Sequence, residues 1–500
     1  MTPTSLESTI VFPEPPALIR SGGVRGAIRL FGPGAIIASV TIGSGETLFA
    51  SRAGAIFGYR LLWFIAVCVA CKLVQVYTGA RYMVLTGEHP MEAWARLPGP
   101  RGWFPAAIGV LSVLCFPFWL GGLALMLGTA INWIVGLDAG DAGSQRLLAQ
   151  LFATASLVVA AVLAVLQSYS VLEKVQTAIV AVLLVSILAA VGFAPVDWAE
   201  AIRNTVVPSF PEYQGWMYTD YPRIVTAQSV MIAMTIFMGA IGGGPYDYIG
   251  YLSMFREKAW GAISLDARTR HETSNAGKPP PGEVLPARDG QRASGSPVIE
   301  RSGGNLARGR QWLRAPIIDT FTAFGCVLIF SMAFNILGAA ILHPRHEVPD
   351  EFALLTPQVH FLTQIHSSLK YVYQAGIFMA FWGTIYGAFE IYSRTVYECF
   401  RPLCPGRPPA FGRFRLPVCL YAGAGGILLV WKVADPLAIV TPAALVGTLT
   451  CGLWCFAMIW ADRDVLPHGL RMGRLWIALN VASGVTMTGF GAAAISNCIR

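Results

Sequence analysis

Eleven stretches of this chain carry apolar residues with few interruptions, near 30–56, 60–84, 106–134, 148–168, 173–193, 224–255, 315–342, 367–397, 416–432, 436–461 and 475–497. Most have the length that a helix needs to cross a hydrocarbon layer of roughly 30 Å. Lipid offers no partner to backbone N–H and C=O groups, so the runs are predicted to be helices. The expected fold class is an all-α membrane protein with about 11 transmembrane helices. Residues 1–28 read as a cytoplasmic N-terminal tail without a cleavable apolar leader, 29–255 hold helices one to six, and 315–500 hold helices seven to eleven. Between them, 256–314 is polar, rich in Gly, Pro, Ser and Arg, and lacks a period of 2 or 3.6. That stretch reads as a disordered cytoplasmic insertion, a solvated linker or a surface for anionic lipid headgroups.

Composition agrees with the pattern. Of the 500 residues 55% are hydrophobic and 13% charged, whereas a soluble chain carries about 25% charged residues. The net charge of +8 is an orientation signal rather than a mark of nucleic-acid binding. With the N-terminus inside, the tail and the even-numbered connections hold 26 of the 36 Lys and Arg residues, which favours a cytoplasmic N-terminus, an external C-terminus and a cell (inner) membrane location. The cysteines inside apolar runs (Cys68, Cys71, Cys115, Cys326, Cys451, Cys455) read as small core residues. Cys399 and Cys404 have no His nearby to make a zinc site. There is no HExxH, nucleophile elbow or phosphate loop, so neither an enzyme nor a cofactor is expected. The partners implied are the bilayer and a small solute, with no nucleic acid and no identified oligomeric partner.

Two helices contain residues that a spanning helix avoids. Helix one has Gly43-Ser44-Gly45-Glu46 in mid-run, and helix six has Gly242-Gly243-Gly244-Pro245-Tyr246-Asp247. Glycine weakens a helix and proline removes a backbone donor. Singly, each cluster is explained by close helix packing. Their matched placement, five helices apart and each with an acid, predicts two broken helices lining a binding site. Gly43, Ser44, Gly45, Glu46, Gly244, Pro245, Tyr246 and Asp247 are therefore the candidate substrate-binding residues, with Glu46 and Asp247 as candidate metal ligands. For Glu46 the alternative is a buried ion pair, and for Asp247 a cap on the following half-helix. Lys72, twelve residues into helix two, is too deep to snorkel easily. It reads as a salt-bridge partner of an acid on a neighbouring helix, or as a tethered ammonium standing in for a coupling ion. Glu390 in helix eight is a possible coupling or structural charge.

The sequence resembles the NRAMP family of proton-coupled divalent metal transporters. Gly32-Pro33-Gly34 begins helix one as in that family, and Ala53-Gly54-Ala55-Ile56-Phe57-Gly58-Tyr59-Arg60-Leu61-Leu62-Trp63 follows its AGxxFGYxLLW pattern. Gln75, Arg81 and Thr86-Gly87 keep register in helix two, as do Gly128-Thr129-Ala130-Ile131 in helix three and Leu172-Glu173-Lys174 at the start of helix five. The resemblance implies a LeuT-type five-plus-five inverted repeat with helices one and six broken, in a carrier of divalent metal. The family's Asp-Pro-Gly-Asn becomes Gly43-Ser44-Gly45-Glu46, so its metal-ligating Asp is Gly43 here. Its helix-six Met-Pro-His-Asn becomes Gly244-Pro245-Tyr246-Asp247, Tyr246 and Tyr251 replace histidines, and Gly122 and Leu125 replace two helix-three acids. Loss of the thioether removes a preference for softer metals, and Glu46 and Asp247 with backbone carbonyls suit Mg²⁺, Ca²⁺ or Mn²⁺. Proton coupling is in doubt for want of the imidazoles and acids. Two other readings stand beside this one. Gly43-Ser44-Gly45 is similar to the GSG turn of amino-acid carriers in the same superfamily, which implies an organic solute held by exposed N–H groups. A transport-inactive sensor or scaffold is the other.

Overall fold

The computed structural model of the protein describes residues 9–21, 30–137, 141–166, 169–265, 297–350, 355–404, 410–433 and 435–499. Among these, all eleven expected helices are present. Helix one runs through Pro33–Thr41, Ile42–Ala50 and Ser51–Phe57 in succession, and helix two is Leu62–Thr86. Helices three, four and five are Trp103–Val135, Ala142–Leu166 and Tyr169–Phe193. Helix six is split into Val230–Ala240 and Pro245–Ser253. Helix seven is Arg314–Leu337 with a π-helical end at Gly338–Leu342; helices eight to eleven are Leu369–Phe400, Gly412–Lys432, Pro436–Val465 and Arg474–Ile499. Eight helical stretches among the described residues are long and apolar enough to cross a membrane, and the chain is a multi-pass membrane protein.

Burial separates the helices into a core and a jacket. Helix two and the first half of helix six are lined with fully buried residues, whereas helices four and five leave Val158, Val162, Val182 and Val185 half exposed or more. Apolar faces of that size are stable against lipid rather than water. The core helices approach closely wherever glycine removes a side chain. A Cβ on Gly54 would stand 2.1 Å from the Asn335 carbonyl, and one on Gly338 2.2 Å from that of Ser51, so helices one and seven touch backbone to backbone. Helix two ends at Gly87, which takes the left-handed conformation (φ 68°) that a side chain resists. Its last turn is tied to helix ten by the Arg81–Asp462 ion pair at 2.5 Å.

The tail and the insertion differ from the expectation where they are described. Residues 9–12 and 297–300 form a short parallel pairing through Ile10 and Ile299, and Gly303–Trp312 is a helix. Asn305 joins the two: its Oδ1 accepts from the Phe12 N–H at 2.7 Å and its amide donates to the Ile10 carbonyl at 3.0 Å. Ile10 and Phe12 are buried while Val11 between them is exposed, so the apolar run Ile10-Val11-Phe12 carries no period-2 signal. The remainder of the predicted disordered stretch, 266–296, lies outside the described residues, as do 1–8 and 22–29.

Asn305→Ala removes these bonds and the one its amide donates to the Glu300 carbonyl at 2.9 Å, at a cost of about 1–3 kcal/mol to that contact. The expected result is faster hydrogen exchange and proteolysis in residues 9–21, with protection of the eleven helices unchanged.

Candidate functional site

Helix one does not open at Gly43-Ser44-Gly45-Glu46. It changes winding, and Ile42–Ala50 form a nine-residue π-helix. The wider turn weakens the ordinary i→i−4 ladder, and hydroxyls fold back onto the carbonyls. Thr47 Oγ1 donates to the Gly43 carbonyl at 2.6 Å, Ser51 Oγ to that of Thr47 at 2.8 Å, and Asn335 of helix seven to that of Ala50 at 3.2 Å. The glycines serve contact. A Cβ on Gly43 would lie 1.9 Å from Thr384 Oγ1 of helix eight, and one on Gly45 2.3 Å from the Ala240 carbonyl of helix six.

Helix six breaks outright. After Ala240 the chain turns through Gly242 and Gly243, both at positive φ (79° and 81°), before Pro245 starts the second half. Such backbone is natural to glycine and strained for other residues. Each exposed backbone group near the turn finds a partner. Glu46 Oε1 accepts from the Gly242 N–H at 2.9 Å, and Asp247 Oδ2 from the Gly244 N–H at 2.8 Å. The Tyr248 hydroxyl donates to the carbonyls of Gly242 at 2.6 Å and Gly243 at 3.2 Å. The Lys72 ammonium, wholly buried, donates to those of Gly239 at 3.2 Å, Gly243 at 2.5 Å and Ile241.

Beside this turn lies a small cavity of about 20 Å³, lined among others by Thr41, Trp119, Gly243, Asp247, Thr384 and Tyr392. Helices one, three, six and eight each contribute to it. Asp247 is its one carboxylate, and the threonine hydroxyls retain lone pairs after donating to the Ala38 and Ala380 carbonyls. The far wall is aromatic. Tyr392 stacks on Phe116 with centroids 4.0 Å apart, and Tyr246 stands 6.3 Å from Trp119 and 6.4 Å from Tyr392. The Tyr246 hydroxyl is buried among these groups without a hydrogen-bond partner.

The half of the protein where helix one begins is laced by hydrogen bonds and ion pairs. Asp319 of helix seven accepts from the Gly32 and Gly34 N–H groups, both at 3.0 Å, and from the Tyr251 hydroxyl at 2.7 Å. Arg256, just past helix six, pairs with Glu398 at 3.0 Å and Glu92 at 3.4 Å, and Lys258 with Glu173 at 2.7 Å. Glu390 belongs to this half. It pairs with Arg394 at 2.8 Å and Arg415 at 2.5 Å.

The candidates are thus divided. Asp247 caps the second half of helix six and also lines the cavity. Glu46 stands behind the break and not in the cavity wall; its Oε2 is buried without a partner. Lys72 meets carbonyls in place of the acid that a salt bridge would need. Ser44 lies in the π-helical stretch, and Gly43, Gly45, Gly244 and Pro245 shape backbone. No group of three or more His, Cys, Asp or Glu able to hold a metal exists among the described residues. The sequence reading missed Thr41, Trp119, Thr384, Tyr392 and Asp319. An acid five residues into helix seven was visible as a signal; the others sit in apolar runs and carry none.

Residues 34–243 match the model of the Nramp family, described as natural resistance-associated macrophage protein-like. The divalent metal cation transporter MntH of Granulibacter bethesdensis is 24% identical over 256 residues, 50% of this chain and 50% of that one. The MntH of Burkholderia ambifaria is 27% identical over 199 residues, 39% and 42% of the two chains. The chain thus spans about half the length of such curated relatives. In fold the likeness runs the whole length. A manganese transporter of Eremococcus coleocola, solved with an aromatic bis-isothiourea substituted compound, matches at TM-score 0.67 and 11% identity over 99% of this chain and 91% of that one. Mhp1, a nucleobase-cation-symport-1 family transporter, matches at 0.51 and 16% identity over 93% and 90%. The fold is the LeuT type.

Gly43→Ala or Gly43→Asp inserts a side chain against Thr384 and the Ala380 carbonyl. Overpacking of this kind costs about 1–3 kcal/mol. The melting temperature in detergent is expected to fall for both, and to recover in part when Thr384→Gly is added.

Proposed function

We propose that this chain, Nramp-like in sequence over residues 34–243 and in fold throughout, is a secondary transporter that binds a hard divalent cation in the cavity beside the helix-six break. The observation that carries the reading is Asp247, a buried carboxylate in the wall of an otherwise uncharged cavity between helices one, three, six and eight. A carboxylate and two hydroxyls are hard oxygen donors. They are too few to replace a hydration shell by themselves, and the cavity of about 20 Å³ has room for about one water beside an ion. Mg²⁺ and Mn²⁺ accept such oxygen ligands, so these two ions suit the donor set better than a metal that needs sulfur. The name of the curated relatives, divalent metal cation transporter, supports the same reading.

The membrane proposed is the cell membrane, with the N-terminus cytoplasmic. At the helix-three positions discussed above, Gly122 lies against Val440 and Leu125 is fully buried, so neither position supplies a titratable group. A second reading, an organic ammonium, is favoured by the faces of Trp119 and Tyr392, since aromatic rings attract cations.

The test is uptake into liposomes carrying purified protein, with Mn²⁺, Mg²⁺ and Ca²⁺ reported by an internal dye. Asp247→Asn keeps an oxygen for the Gly244 N–H and loses the charge. The expected outcome is a fall in initial uptake at low metal of about tenfold or more, corresponding to about 1.4 kcal/mol or more of binding, with the melting temperature near that of the parent. Metal uptake that ignores Asp247→Asn would overturn the site. Absence of metal uptake, with alkylammonium accumulation that depends on Asp247, would establish the organic cation instead.

A further inference from the structure

We propose that the carbonyls of Gly239, Ile241 and Gly243 form a monovalent-cation site whose resident ion is the protein's own Lys72 ammonium. Three carbonyl oxygens from one broken helix converge on Nζ, at 3.2 Å for Gly239 and 2.5 Å for Gly243, with Ile241 also in contact. An ammonium has three N–H donors and no acceptor, so the three bonds satisfy it completely. Carbonyls turned toward one point are how a protein replaces the water around a small cation. The first half of helix six ends at Ala240 beside this point, and the negative end of its dipole adds to the attraction.

Nothing in the surroundings asks for a lysine as a space filler. Apart from the buried Gln75, the residues of helix two around position 72 are apolar, with Cys68, Val69 and Val76 buried in the core. Desolvating an ammonium at such depth is costly, and the carbonyl cage is what offsets it. The stem enters against the turn itself, for a Cβ on Gly242 would stand 3.2 Å from Lys72 Cδ. Helix two therefore reaches across to hold the break of helix six. A tethered ion cannot be diluted away, so the break keeps its shape without dissolved Na⁺ or K⁺. It also keeps the Gly243 carbonyl engaged, and a divalent ion in the adjoining cavity then meets Asp247 and the two threonines.

Binding by this cage can be read without any transport. The detergent-purified protein is melted in chloride salts of N-methylglucamine, sodium, potassium, ammonium and methylammonium. The wild type is expected to melt at one temperature in all five. Lys72→Ala is expected to melt several degrees lower in N-methylglucamine and to recover, saturably, in at least one small cation. Lys72→Met, which refills the space with an apolar chain, is expected to be lowered and not to recover. Failure of every small cation to restore Lys72→Ala, whether it melts equally in all or folds in none, overturns the proposal. So does a Lys72→Met variant as stable as the wild type, or a wild type that is itself stabilised by one small cation. Because the readout is melting, a protein that moves no divalent metal leaves this result standing.

Discussion

A backbone break inside a membrane leaves N–H and C=O groups that lipid cannot satisfy, each worth several kcal/mol if left bare. The turn at Gly242-Gly243-Gly244 creates such groups in the middle of the protein, and the arrangement around it answers them. Glu46 from helix one takes the Gly242 N–H, Asp247 takes that of Gly244, and Tyr248 and Lys72 take the carbonyls between Gly239 and Gly243. Each acid or base near the break thus has a structural duty before any ligand arrives. The cost of opening helix six is offset by charges that would themselves be expensive in lipid, so break and charges stabilise one another.

The same economy of side chains makes the cavity. Helix eight comes so near helix one that no residue larger than glycine fits at position 43, and Thr384 stands where a side chain from helix one would otherwise project. The polar lining is left to Thr41, Thr384 and Asp247, with Trp119 and Tyr392 opposite. At the end where helix one starts, charged groups hold the helices together: Asp319 caps helix one while Arg256 and Lys258 anchor the end of helix six. These contacts tie the start of helix one to helix seven and the end of helix six to helices five and eight.

Much of this was legible along the chain. The eleven helices follow from runs of apolar residues whose lengths match a bilayer, and their observed bounds mostly stay within a few residues of the expected ones. Gly242-Gly243-Gly244-Pro245 announced a break because its chemistry forbids a helix locally. Gly43-Ser44-Gly45-Glu46 announced one too, and there the neighbours decided otherwise: hydroxyls of Thr47 and Ser51 carry the chain through as a π-helix. Asn305 and the paired residues Ile10 and Ile299 gave no warning of order in the tail and insertion, since contacts across nearly 300 positions leave no period.

By itself the sequence determined the class of solvent, the number of helices, the weak point of helix six and the residues that depart from the family resemblance. These are local matters, settled by hydropathy, proline and glycine within a few turns. What only the tertiary structure decided is the partner of each buried charge. Lys72 faces carbonyls and not an acid, Glu46 stands behind the break and not in the cavity, and Glu390 pairs with arginines. The reason is geometric: a charge in a helix has several neighbouring helices within reach, and which of them presents an oxygen or a nitrogen depends on close packing that residue spacing does not encode.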